Sequence, residues 1–207
     1  MGYVREHLTR LSYAIRSQVW EDIYPLIDVP SFVDFYIVQE LFKNVDIGWF
    51  SVFMTIQGQG AERRLHMGPI WDFDRSSGNS NDTVRYTPRS PYPVVSPYGI
   101  HAGEYNYWFR YLLGTPEFFA LVSERWNEVR DSKIIRTIDY INYLADTFHG
   151  SFSRNFQRHP VFTRSPSWAW VVAPEARRIS SFEGQVEYLV GFLSNRVIWL
   201  NDFFMYG

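Results

Sequence analysis

Cysteine is absent from the 207 residues, which excludes a disulfide scaffold, zinc–thiolate ligation and cysteine nucleophiles together, while leaving the compartment open. Long hydrophobic runs are absent too: Lys, Asp or Asn interrupts every stretch before about 18 apolar residues accumulate, so no transmembrane helix is expected. Neither sign of charge dominates. Lys and Arg number 20 against 22 Asp and Glu, for a net charge of −2, which gives no basis for a general nucleic-acid or membrane-surface binder. The opening residues Met1-Gly2-Tyr3-Val4-Arg5-Glu6 lack the basic, apolar, small-residue order of a signal peptide. They read as the middle of a helix, and the chain as a fragment.

Aromatic residues are abundant instead, with 17 Phe, 14 Tyr and 8 Trp. Rings bury large areas, so residues 1–207 can build a sizeable core as a single domain and keep rings for a surface. The apolar series Val4, Leu8, Leu11, Ile15 and Val19 steps by three or four, as one buried helix face does. Pro25 and Pro30 break it, Asp28-Val29-Pro30-Ser31 restarts a helix, and that helix ends near Lys43-Asn44. From Phe50 the period changes. Ser51 to Ile56 and Arg64 to Trp71 are extended runs on either side of Gln57-Gly58-Gln59-Gly60, which reads as a β-hairpin whose second strand stops at Pro69.

Ser76 to Gly103 is loop-like, with Pro88, Pro91, Pro93 and Pro97, and is long enough to be functional. Helical patterns then return. Trp108, Leu112, Phe118, Phe119, Val122, Trp126 and Val129 form one series, interrupted at Gly114-Thr115-Pro116. A second series runs from Ile134 to Phe148, and a last helix occupies Glu183 to Phe203. The fold class is mainly α with a small β-hairpin (α+β).

Three acids cluster around the hairpin: Asp46 just before it, Asp72 and Asp74 just after. A hairpin returns its ends to one place, so Asp46 is expected beside acids that lie 26 and 28 residues later. Converging carboxylates repel, and a divalent cation relieves the repulsion. Oxygen ligands without Cys or paired His favour magnesium, manganese or calcium over zinc. Phosphoryl transfer uses such a set, one carboxylate near the attacking hydroxyl and another holding magnesium on the phosphates. The alternative is that Asp46 and Asp74 only cap helices or turns.

The run Ser31-Phe32-Val33-Asp34-Phe35-Tyr36-Ile37-Val38-Gln39-Glu40-Leu41-Phe42-Lys43-Asn44-Val45-Asp46, followed by Gly68-Pro69-Ile70-Trp71-Asp72-Phe73-Asp74 and Gly78-Asn79, resembles the spore-coat protein H (CotH) kinase family. Pro116-Glu117-Phe118, Arg125-Trp126, Glu187-Tyr188-Leu189 and Arg196-Val197-Ile198-Trp199-Leu200 extend the resemblance along nearly the whole chain. It implies an atypical, secreted or surface-associated protein kinase that uses ATP with Mg2+ or Mn2+ and a protein substrate offering a hydroxyl. Asp46 would orient or deprotonate that hydroxyl, and Asp72 would hold the metal, with Asp74 the second candidate. Ser51 stands where many members carry a metal-ligating asparagine, so it is the candidate cofactor-binding position. No counterpart of the half with the ATP-phosphate lysine is recognisable, so the chain reads as the C-terminal lobe of an atypical protein-kinase-like fold, its nucleotide lobe missing.

Competing readings are a non-catalytic surface or interaction module that kept the fold, and carbohydrate binding by the aromatic loop. Paired acids also suit a glycoside hydrolase, but no separate acid is marked out across a cleft. Single histidines such as His66 and His101 are more often structural than ligands. Asn81-Asp82-Thr83 is a glycosylation sequon of low specificity. Trp108, Trp126, Trp168 and Trp170 are expected in core or lid packing, and Arg63-Arg64 and Arg177-Arg178 are expected in solvent.

Overall fold

The computed structural model describes residues 2–48, 50–81, 92, 95–161 and 169–206. Ten helices and one hairpin follow in chain order among them: α1 (Gly2–Ser17), α2 (Trp20–Ile23), α3 (Val29–Phe42), β1 (Met54–Gln57), β2 (Arg64–Met67), α4 (Ala102–Tyr105), α5 (Tyr107–Leu113), α6 (Pro116–Val129), α7 (Arg136–Thr147), α8 (His149–Arg158), α9 (Pro174–Arg177) and α10 (Phe182–Tyr206). The mainly helical α+β class read from the sequence is the one observed. The sequon residues Asp82 and Thr83, the loop prolines Pro88, Pro91 and Pro93, and Trp168 lie outside the described residues.

The centre is α3. Asp28 caps it, its carboxylate accepting from the Ser31 N–H at 3.0 Å, and Pro30 sits in the first turn, where a missing N–H costs nothing. The helix is apolar on nearly every face, so it must be surrounded. Phe32, Val33, Phe35, Tyr36, Ile37 and Leu41 are all buried. Phe109 of α5 meets the rings of Phe35 at 6.0 Å and Tyr36 at 5.4 Å. Phe118, Val122 and Trp126 of α6 and Leu193 and Leu200 of α10 close the core. Rings supply both area and preferred tilted contacts, which is how a chain rich in Phe and Trp fills this interior.

The hairpin is antiparallel, pairing Met54 with Met67, Thr55 with His66, Ile56 with Leu65 and Gln57 with Arg64. Both strands are shorter than the apolar runs suggest; Leu65 is buried in the core, and Ile56 and Met67 pack against it. The Asp28 N–H donates to the Leu65 carbonyl at 2.8 Å and thereby docks β2 against the start of α3.

Other expectations are corrected. Val19 does not continue the first helix: Gln18 adopts φ 57°, which ends α1 and leaves Val19 exposed. Trp170 is not packed inward but 69% exposed, whereas Trp126 is fully buried. Arg64 is engaged rather than merely solvated, donating to the Tyr24 carbonyl at 2.7 Å. Between α6 and α7 the chain passes through a π turn at Arg130–Ile135, a change of period that no apolar spacing announces.

Candidate functional site

The turn bearing Asp46 is built on the end of α3. Lys43 takes the left-handed conformation, φ 47°, and its N–H bonds back to the Gln39 and Glu40 carbonyls, a helix stop normally given to glycine or asparagine. Lysine is tolerated because its side chain is anchored: Nζ donates to the carbonyls of Ser96 at 2.9 Å and Tyr98 at 2.7 Å. Burial, then the charge of Arg196, lowers its pKa to about 7. After it, the Asp46 N–H donates to Asn44 Oδ1 at 3.2 Å inside the short helical turn Val45–Gly48.

A buried polar cluster supports this turn from below. The Glu40 carboxylate accepts from the backbone N–H groups of His101 at 2.6 Å and Ala102 at 2.8 Å. It also pairs with the Arg196 guanidinium, and neither side chain has any exposure. Arg196 spends its remaining donors on the Glu40 carbonyl at 3.0 Å, Pro97 O at 3.0 Å and Gly99 O at 2.7 Å. His101 Nε2 lies 2.7 Å from the Asn44 carbonyl, and since a carbonyl only accepts, Nε2 carries the proton. Burial, then the charges of Lys43 and Arg196, lowers the His101 pKa to about 3, so the ring is neutral. His101 is therefore a structural donor. The loop 96–103 is stitched over the helix end, and Asn44 and Asp46 are fixed relative to the core.

The second half of the site follows the hairpin. Beyond the paired strands the Gly68 N–H still donates to the Phe53 carbonyl at 2.7 Å. A Cβ at Gly68 would stand 2.6 Å from that oxygen, so glycine is required for the close approach. Trp71 then folds back, its ring edge-on to Phe53 at 6.4 Å. This return brings Asp72 to Ser51, whose Oγ donates to Asp72 Oδ2 at 3.0 Å. Both residues have positive φ, 57° for Ser51 and 63° for Asp72. Partial desolvation, then the neighbouring Asp72 carboxyl, raises the Asp74 pKa. Arg75, the next residue, extends to Asp46 at 3.8 Å.

The loop is held from behind. The Phe73 ring meets Phe42 edge-on at 5.5 Å, and the Ser77 N–H donates to the Phe42 carbonyl at 2.6 Å. At the turn near Gly78, φ 77°, the Tyr188 hydroxyl of α10 donates to the glycine carbonyl at 2.9 Å, and a Cβ there would meet Phe192 at 2.8 Å. Of the five non-glycine residues with positive φ among the described residues, four are Lys43, Ser51, Asp72 and Ser77. Backbone strain thus concentrates around the acids, as it does where a site is held to one geometry.

The hairpin therefore joins Ser51 to Asp72, with Asp74 close by, and Asp46 is linked to the loop through Arg75. Among the described residues no group of three or more His, Cys, Asp or Glu lies close enough to hold a metal ion by itself. Two adjacent carboxylates nonetheless fit magnesium, which commonly takes one or two protein carboxylates and completes its shell with phosphate oxygens and water. The raised pKa of Asp74 fits in a second way, since a divalent cation beside neighbouring carboxylates relieves the repulsion that contributes to it.

Glu40, Lys43 and Arg196 are not found by reading motifs for chemistry. A signal for them exists: each is a charge inside an otherwise apolar helical stretch, and a charge in a helix that must be buried requires a buried partner.

Residues 3–200 match the family model described as CotH kinase protein. Neither the curated proteins nor the solved structures contain a match to the chain.

Proposed function

The chain belongs to the CotH kinase family, and on that premise we propose that it serves phosphate transfer from ATP to a protein hydroxyl. Residues 1–207 act in this reading as one domain, the C-terminal lobe of an atypical kinase-like fold, in a protein that works outside the cell or at its surface. The observation that carries the reading is the Ser51–Asp72 hydrogen bond, held by left-handed backbone at both residues, with Asp74 close by. Asp72 and Asp74 would hold Mg2+ or Mn2+, with Ser51 orienting Asp72. The bound cation would offset negative charge on the phosphates as the transferred group moves. Asp46, braced by Arg75, would orient the acceptor hydroxyl and take its proton. No helix among the described residues is long and apolar enough to cross a membrane.

A second reading has its own support. Phe50, Phe53, Ile70 and Trp71 are exposed beside the acidic loop, by 69%, 50%, 42% and 59%. Contiguous apolar surface of this kind marks interaction sites, so a non-catalytic interaction module would also present it. Calorimetry of ATP with and without Mg2+ separates the two, using this chain and an upstream-extended version, each beside its Asp72→Asn variant. The kinase reading expects magnesium-dependent binding that the variant loses. No binding by either folded version overturns it and leaves the interaction module.

A further inference from the structure

A cleft of about 290 Å³ opens between α3, α6, the π turn and α10, apart from the acidic loop. Its floor is apolar and belongs to the core: Ile37, Leu41, Ile134 and Leu193 line it, and each is buried. Charge appears only at the rim. Arg125 Nε pairs with Asp34 at 2.8 Å and its Nη1 with Glu128 at 2.8 Å, so that guanidinium is committed to two carboxylates. Lys133, on the π turn, borders the same mouth. Its ammonium has no ion-pair or hydrogen-bond partner among the described residues. The wider π turn sets this exposed cation directly beside the inward-facing Ile134, so apolar depth and positive charge adjoin. π turns recur at functional sites for this kind of re-aiming.

We propose that the cleft binds a medium-chain monocarboxylate, its hydrocarbon tail on the apolar floor and its carboxylate on Lys133. Size selects the tail. A water occupies ~30 Å³ in the liquid, and at that share the volume holds about ten non-hydrogen atoms, the number in octanoate. Charge selects the head. Arg125 is engaged by Asp34 and Glu128, which leaves Lys133 as the cation at the mouth with no carboxylate pairing it among the described residues, so an anionic head gains a partner there that a neutral or cationic head does not. Phe42 also lines the cleft, and its ring rests on Phe73 between the two acids of the loop, so the occupant sits one ring away from the site. The inference does not depend on phosphate transfer.

Calorimetry on the full chain tests it with sodium octanoate, 1-octanol and octylammonium, all below their micelle concentrations. Saturable one-to-one binding of octanoate is expected, with the other two ligands weaker by about tenfold or more. Lys133→Met should weaken octanoate by about tenfold. Val38→Trp, a partly buried wall position, should fill the cleft and abolish binding with the melting curve preserved. If that variant misfolds, Thr137→Trp at the exposed rim takes its place. Asp72→Asn should leave octanoate binding unchanged, which separates this site from the acidic loop. Absence of saturable binding to the folded chain overturns the proposal. So does octanol binding as tightly as octanoate, or a Lys133→Met variant that binds octanoate undiminished.

Discussion

Glu40 and Arg196 lie 156 residues apart in sequence and form an ion pair with no solvent exposure on either side chain. The pair fastens α10 to α3, and both partners also bind the loop that crosses above them. A pair of this kind is not in itself a large net stabiliser, because desolvating two charges offsets most of their attraction. Breaking it is another matter. Arg196→Met leaves the Glu40 carboxylate buried without a counter-ion and frees the carbonyls of Pro97 and Gly99, at an expected cost of about 3–5 kcal/mol. Urea denaturation followed by far-UV circular dichroism checks this. A loss below about 1 kcal/mol would mean that water reaches the site.

His101 sets a pH limit on the same cluster. Its folded pKa of about 3 lies below the ordinary 6.5, so between those values the unfolded chain binds more protons than the folded one. Stability is complete above pH 6.5 and falls as the pH drops towards 3, by on the order of 4 kcal/mol from this residue alone. His101→Gln keeps an N–H for the Asn44 carbonyl without the titration. Its urea midpoint, followed from pH 7 to pH 4, should fall less steeply than that of the native chain.

Asp28 offers a milder change at the other end of α3. Its carboxylate caps the Ser31 N–H and lies 3.5 Å from His66 Nδ1 across the hairpin. Asp28→Ala should cost about 1 kcal/mol, dominated by the lost cap, because the partly exposed histidine pair adds little. Asp28→Ser retains a capping oxygen and should recover most of the loss in a thermal melt.

The helix restart at Asp28–Ser31, the hairpin and the long closing helix were legible because each rests on local signals: a restart motif, two extended runs around a glycine-rich turn, an apolar series. The π turn at Arg130–Ile135 was not, because an apolar series that ends at Val129 and another that restarts at Ile134 read equally well as two helices with a loop between them. Trp170 was misplaced for a related reason: ring size argues for burial, yet only tertiary packing decides which rings go inside. At the site, the nearness of Ser51 and Asp72 follows from a hairpin returning its ends to one place, whereas Asp46 is linked to that loop through Arg75. The arrangement that steadies them was not legible, since Glu40, His101 and Arg196 come together only through long-range packing. The role of Arg75 as the link to Asp46 likewise depends on how the loop turns after Asp74.

Ser51 is the position where one substitution discriminates most. Its φ of 57° is strained for most residues, but asparagine is among those that visit the left-handed region most readily. Ser51→Asn should therefore fold at least as stably as the native chain, and its amide N–H can still donate to Asp72. The amide oxygen is a better magnesium ligand than a hydroxyl, so magnesium-dependent ATP affinity should rise by about fivefold or more, roughly 1 kcal/mol. Ser51→Ala should do the reverse: it removes the hydrogen bond to Asp72 and loosens the loop without touching the backbone. Calorimetry of Mg2+–ATP on both variants checks the pair. Equal affinities in Ser51→Asn, Ser51→Ala and the native chain would remove Ser51 from the nucleotide site, even with Asp72 still required.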